Sequence, residues 1–149
     1  MYLIYMIGAS VVGTRIDEAD LEQLVSAFYA RVRADTELGP VFNDAIDDWP
    51  GHLAKLTDFW SSVMLGSRQY KGQPVPAHMK HRVRITPVLF DRWLDLWNRT
   101  TGELLEAGAA SALQAKAARI AESLQLAMFF RLERKPDGCS LGRTTDETA

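Results

Sequence analysis

The chain has 149 residues, 47% hydrophobic and 24% charged, with a formal net charge of −2, which is length and composition enough for one domain with a substantial core. An acidic balance argues against a general nucleic-acid binder, because phosphate neutralisation needs a surplus of Lys and Arg. The one cysteine, Cys139, leaves neither a disulfide framework nor a thiolate metal site, and it fits a reducing cytoplasm.

Residues 1–16 read as an N-terminal extension. Met1 to Gly13 is apolar but too short to span a bilayer. The first positive side chain, Arg15, comes too late for the basic start of a secretory signal. No membrane association is therefore expected. From Asp17 to Ala34 an acidic start suits a helix N-terminus, and Leu21, Leu24, Val25, Phe28 and Val32 share one apolar stripe. Gly39-Pro40 interrupts the pattern, and a short helix over Pro40–Ile46 turns Val41 and Phe42 inward. Asp47-Asp48 caps the next helix, Pro50 sits in its first turn, and Gly66 stops it after Leu65. Gly72, Pro74 and Pro76 predict a loop from Ser67 to Ala77, followed by a helical piece over Ala77–Arg82. Pro87 opens a long helix to about Glu106, and Gly108 separates it from a last helix running from Ala109 to about Arg134. Beyond Pro136-Asp137-Gly138 the Ser/Thr/Gly-rich stretch predicts a disordered tail over 135–149. No strand alternation or internal repeat is present, so the fold class is all-α, one domain over 17–134.

The chemistry-bearing residues fall on these helices. His52, Leu56, Phe59 and Val63 are spaced by four, three and four, so a polar imidazole heads an otherwise apolar face. A boundary histidine bonded to backbone would read the same way. Phe90, Trp93 and Trp97 make an aromatic ridge that is most simply core, but an indole N–H buried beside a pocket needs an acceptor. Tyr29, next to Phe28, falls at the edge of its helix's apolar face, where a phenol can point inward or lie at the surface.

His78 and His81 form an H-x-x-H pair, and His52 is the third histidine. A zinc or di-iron bundle would want carboxylates on the same face. Lys80, Arg82 and Arg84 surround the pair with positive charge instead. Histidines set among Phe and Trp suit a flat apolar cofactor such as an iron porphyrin, with the basic side chains offered to its propionates. The same charges are also compatible with a solvated face.

These segments together resemble the group III truncated haemoglobins. The residues that carry the resemblance are Ala27-Phe28-Tyr29-Ala30-Arg31-Val32-Arg33, Leu38-Gly39-Pro40-Val41-Phe42-Asn43 and Trp49-Pro50-Gly51-His52. Phe59-Trp60, Leu65-Gly66, Tyr70-Lys71-Gly72-Gln73-Pro74 through to His78, and Phe90-Asp91-Arg92-Trp93-Leu94 extend it over about Asp17 to Arg134. No single piece is specific, but their order and spacing are. The resemblance implies a shortened globin fold, with two helix pairs in a two-over-two sandwich around haem b.

It also implies roles. His78 becomes the proximal iron ligand, its other ring N–H meeting a backbone carbonyl, and His81 becomes a neighbour or a propionate contact. Tyr29, His52 and Trp93 become the distal groups around a bound ligand. Phe42, Leu56, Phe59 and Phe90 become apolar contacts of the porphyrin, and Arg82 a propionate contact. The partners implied are dioxygen, nitric oxide or another small ligand, and an electron-donating reductase for any nitric oxide dioxygenation or peroxidase-like turnover. No flavin- or nicotinamide-binding motif occurs in the sequence. The reading from another class is a cofactor-free helical interaction module in which the aromatic residues are plain core.

Overall fold

A computed structural model describes residues 16–129, and every regular element within them is an α-helix. Helix α1, Glu18–Ala34, starts with a reciprocal cap. The Asp17 carboxylate accepts from the Asp20 N–H at 2.8 Å, and the Asp20 carboxylate accepts from the Asp17 N–H at 3.1 Å. The expected stripe of Leu21, Leu24, Val25, Phe28 and Val32 is buried, and Tyr29 is buried with it.

Helix α2, Leu38–Ala45, begins two residues before the expected Pro40. The Asp35 carboxylate satisfies the N–H groups of both Glu37 and Leu38 at 2.9 Å, which leaves Pro40 in the first turn, where no intrahelical donor is needed. Helix α3, Trp49–Leu65, follows its sequence signals closely. Asp48 accepts from the Gly51 N–H at 3.1 Å, and Gly66 closes the helix in the left-handed region at φ 67°.

Helix α4, Pro74–Met79, corrects the expected loop to Ala77. Pro74 and Pro76 both lie in the first turn, and Ala77 is the first residue whose N–H has to find a carbonyl, that of Gln73 at 3.3 Å. The prolines therefore start this helix instead of preventing it. Residues 80–84 continue as turns, not as helix.

Helix α5, Pro87–Leu104, is capped by Thr86, and α6 is Ala107–Phe129. The break between them falls at Leu105, whose extended backbone turns its side chain onto the core. Gly108, expected to separate the two helices, lies in the first turn of α6. The expected helix end at Arg134, the tail over 135–149 and most of the N-terminal extension lie outside the described residues. Ile16 of that extension packs against the core.

Helix α1 packs on α3 and α5 packs on α6, while contact between α1 and α5 joins the two pairs. This is the expected all-α, two-over-two arrangement. Helix α2 sits against α1 and α5, and α4 packs on α6. At the junction of the two pairs lies the main core, with Phe28, Trp60, Trp97 and Leu113 at its centre. A second cluster, Phe90 with Ala121, Leu124 and Met128, seals α5 against α6. Gly39 marks a close backbone approach: a Cβ there would lie 2.6 Å from the Arg33 carbonyl oxygen. No helix among the described residues is long and apolar enough to cross a membrane.

Candidate functional site

The ring of His78 is oriented by its own helix. Its Nδ1 lies 2.6 Å from the carbonyl oxygen of Pro74, one turn earlier. A carbonyl can only accept, so Nδ1 carries the proton and Nε2 is left with a lone pair in the neutral ring. Proline at 74 and 76 fixes the backbone of that turn, and His78 itself is half-buried. His81 lies beyond the helix, half-buried, and its N–H donates to the His78 carbonyl at 3.0 Å. Arg82 is exposed on the same segment.

A second set of groups converges from α1, α3 and α5. The Tyr29 ring lies 5.9 Å from that of Phe42, 6.2 Å from that of Trp49 and 6.4 Å, edge-on, from that of His52. Burial pushes the Tyr29 phenol far above its ordinary range, so it keeps its proton, while the Trp93 indole N–H bonded to its oxygen pulls partly the other way. His52 is also held by Trp49, edge-to-face at 5.8 Å. Its ring titrates lower than usual, first because it is partly buried and then because the positive charges of Lys55 and His78 repel its proton. A protonated His78 thus weighs on His52, although α3 and α4 do not pack closely together.

Leu56, Phe59 and Val63 continue the His52 face of α3, and all of them stay half-buried. A half-buried apolar helix face, together with an imidazole that has a free nitrogen, fits a flat apolar group with one open metal position. No cluster of three or more His, Cys, Asp or Glu among the described residues is placed to hold a metal ion. Residue types and geometry thus suit an iron porphyrin.

The structure brings Phe42, His52 and Trp93 together around Tyr29 and sets Leu56 and Phe59 along the half-buried face of α3. Phe90 stands apart from that group, in the cluster between α5 and α6, with Met79 of α4 packed against it. Sequence reasoning missed Trp49, which walls both Tyr29 and His52; its position three residues before His52 was the available signal.

A helical bundle suited to a flat prosthetic group, with one oriented imidazole on a short helix, is the class these features define. A family model described as bacterial-like globin matches residues 13–130. The group 3 truncated hemoglobin ctb of Campylobacter jejuni is 31% identical over 117 residues, covering 74% of this chain and 89% of the relative. The crystal structure of the group III truncated hemoglobin from Campylobacter jejuni superposes with a TM-score of 0.70 at 30% identity, covering 77% of this chain and 93% of that one. The chain belongs to the bacterial-like globin family, as a group III truncated haemoglobin. Haem-based ligand binding follows from that membership.

Proposed function

We propose that this protein binds haem b through the Nε2 atom of His78 and retains dioxygen tightly on the opposite face. The observation that carries the reading is the 2.6 Å contact between His78 Nδ1 and the Pro74 carbonyl. It fixes the tautomer and the ring plane before any cofactor arrives, and a hydrogen-bonded Nδ1–H makes the other nitrogen a better donor. When bound, haem supplies an iron that takes up a diatomic ligand and leaves partial negative charge on its outer atom.

Tyr29 is placed to answer that charge. Its proton is retained because the phenol is buried, and Trp93 donates to the same oxygen, which leaves the Tyr29 O–H free to donate to a ligand. His52 stays neutral to lower pH than an ordinary histidine, so near pH 7 it adds a dipole and no full charge. Phe42, Leu56 and Phe59 line the apolar sides, Phe90 supports the edge near α4, and Arg82 is free to meet a propionate. Carbon monoxide carries less charge than dioxygen and gains less from these donors.

The turnovers this arrangement suits are oxidation of nitric oxide to nitrate and reduction of peroxide, each drawing electrons from an external reductase in the cytoplasm. An absorption spectrum tests the reading directly. The purified chain reconstituted with hemin shows an intense Soret band, and His78→Ala shifts or abolishes it. If the alanine variant keeps the same spectrum and gas uptake, His78 is not the ligand. If the wild type shows no Soret band, the cofactor-free helical module replaces the haem reading.

A further inference from the structure

Three indoles lie in a row behind the distal group. The rings of Trp93 and Trp97, one turn apart on α5, are stacked at 5.5 Å and 6°. The rings of Trp97 and Trp60, brought together from α5 and α3, are stacked at 4.5 Å and 18°. From Trp60 the row continues through the Phe59 ring at 5.5 Å to Tyr70, whose ring lies 5.2 Å beyond. Trp93 and Tyr70 are half-buried, whereas Trp97 and Trp60 are 0% and 2% exposed. We infer that this row carries oxidising equivalents from the site on α5 to Tyr70, and so protects the cofactor when it meets peroxide. The inference rests on the haem reading above.

Indole and phenol are the common side chains most readily oxidised by one electron, and face-to-face stacking gives the orbital overlap that transfer needs. Core packing alone asks for volume and apolar surface, which Phe or Leu would also supply. The central member has a further property. The Trp97 N–H donates to the Leu113 carbonyl at 3.2 Å, and that dipole favours a positive charge on the ring. Phe28 closes its flank at 4.8 Å, edge-on, and full burial keeps water and dioxygen from trapping an indole radical there.

The route ends at Tyr70 because a phenol gives up its proton when it loses an electron. Tyr29 is the phenol nearest to Trp93, but it is buried, and burial opposes loss of its proton. Tyr70 is half-buried, with its N–H tied to the Ser62 hydroxyl oxygen at 2.9 Å. Its ring lies over Gly72, in space that a side chain there would fill.

Reduction of one peroxide to two waters breaks the O–O bond and takes two protons and two electrons, which haem, when bound, would supply. Trp93 returns one electron, Trp97 refills Trp93, Trp60 refills Trp97, and Tyr70 refills Trp60 while releasing its phenolic proton to solvent. A soluble one-electron reductant such as ascorbate then restores Tyr70, which regains its proton from water. A second passage returns the second electron.

The test uses the ferric holoprotein mixed with hydrogen peroxide without a reductant, freeze-quenched for electron paramagnetic resonance, with Soret bleaching followed in parallel. The wild type is expected to show a tyrosyl radical. Tyr70→Phe removes that signal, leaves an indole radical and bleaches several-fold faster, with an unchanged resting spectrum. Trp97→Phe cuts the row, lowers the tyrosyl yield and also bleaches faster, while Trp97→Tyr restores part of the yield. Where the Trp97 variants fail to fold, Tyr70→Phe and Trp60→Phe decide the matter. A tyrosyl signal and bleaching rate unchanged in Tyr70→Phe would overturn the conduit while leaving the haem reading intact. Absence of a Soret band in the wild type sinks both.

Discussion

The distal and proximal halves of this molecule are built by different rules. Helices α1, α3 and α5 meet in a dry aromatic core, in which Phe28, Trp60 and Trp97 are almost fully buried. Helix α4 has no buried residue at all, and the segment after it leaves Val83 92% exposed. The distal groups inherit their positions from packing, which is cooperative and stiff. The His78 imidazole, the proposed iron ligand, is positioned by one hydrogen bond within six residues. If His78 holds iron as proposed, the face around Tyr29 is fixed by packing, while the iron-binding side is exposed and held by few buried contacts.

The comparison can be broken most forcefully at its rigid half. Trp97→Ala removes the centre of the core and should cost about 3–5 kcal/mol of unfolding free energy, read from denaturant midpoints at unchanged slope. A cost near that of a surface substitution would mean the distal frame is not what holds the fold. Smaller, and specific to function, is the effect of Tyr29→Phe. Losing one hydrogen bond of about 1–1.5 kcal/mol should speed dioxygen release roughly tenfold, measured by stopped flow, with carbon monoxide release changing less. Trp93→Phe should act in the same direction.

Asp35 gives a pH-dependent version. Its carboxyl is held at about 2, below the ordinary 3.8, chiefly by the Arg92 guanidinium and also by the N–H groups of Leu38 and Glu37. A lowered folded pKa stabilises the fold above the ordinary value, and that stability is lost as pH falls from about 4 through about 2. The Arg92 side chain is 39% exposed, so solvent screening keeps the contribution small. Asp35→Asn should flatten that acid limb of the stability curve. Least of all, Val83→Ala on the proximal side should change stability by no more than about 0.5 kcal/mol; a larger cost would show that this loop is packed more firmly than its exposure indicates.

The part of the molecule built by periodicity was the legible part. The apolar stripe of α1, the caps and stop of α3 and the all-α class follow from spacing and from Asp48, Pro50 and Gly66. What periodicity could not reach was the meaning of the punctuating residues. Pro74 and Pro76 read as helix breakers until the donors are counted, and then they define a first turn. Gly108 read as a separator, whereas the break is made by Leu105 turning toward the core. In the candidate site, spacing drew notice to His52, His78 and Tyr29, but their roles came only from the family resemblance, because a polar side chain beside an apolar stripe reads the same with or without a cofactor. The stacking of Trp60 on Trp97 joins positions 37 residues apart, and no local pattern announces it.

The missing side chain at residue 39 has a consequence for how this pocket can change. Since α1 and α2 meet there backbone to backbone, their separation is set by main-chain atoms and leaves nothing to trim. A lineage, or an engineer, seeking room for a bulkier guest on that side must shorten Phe42, because the corner itself offers no adjustable part.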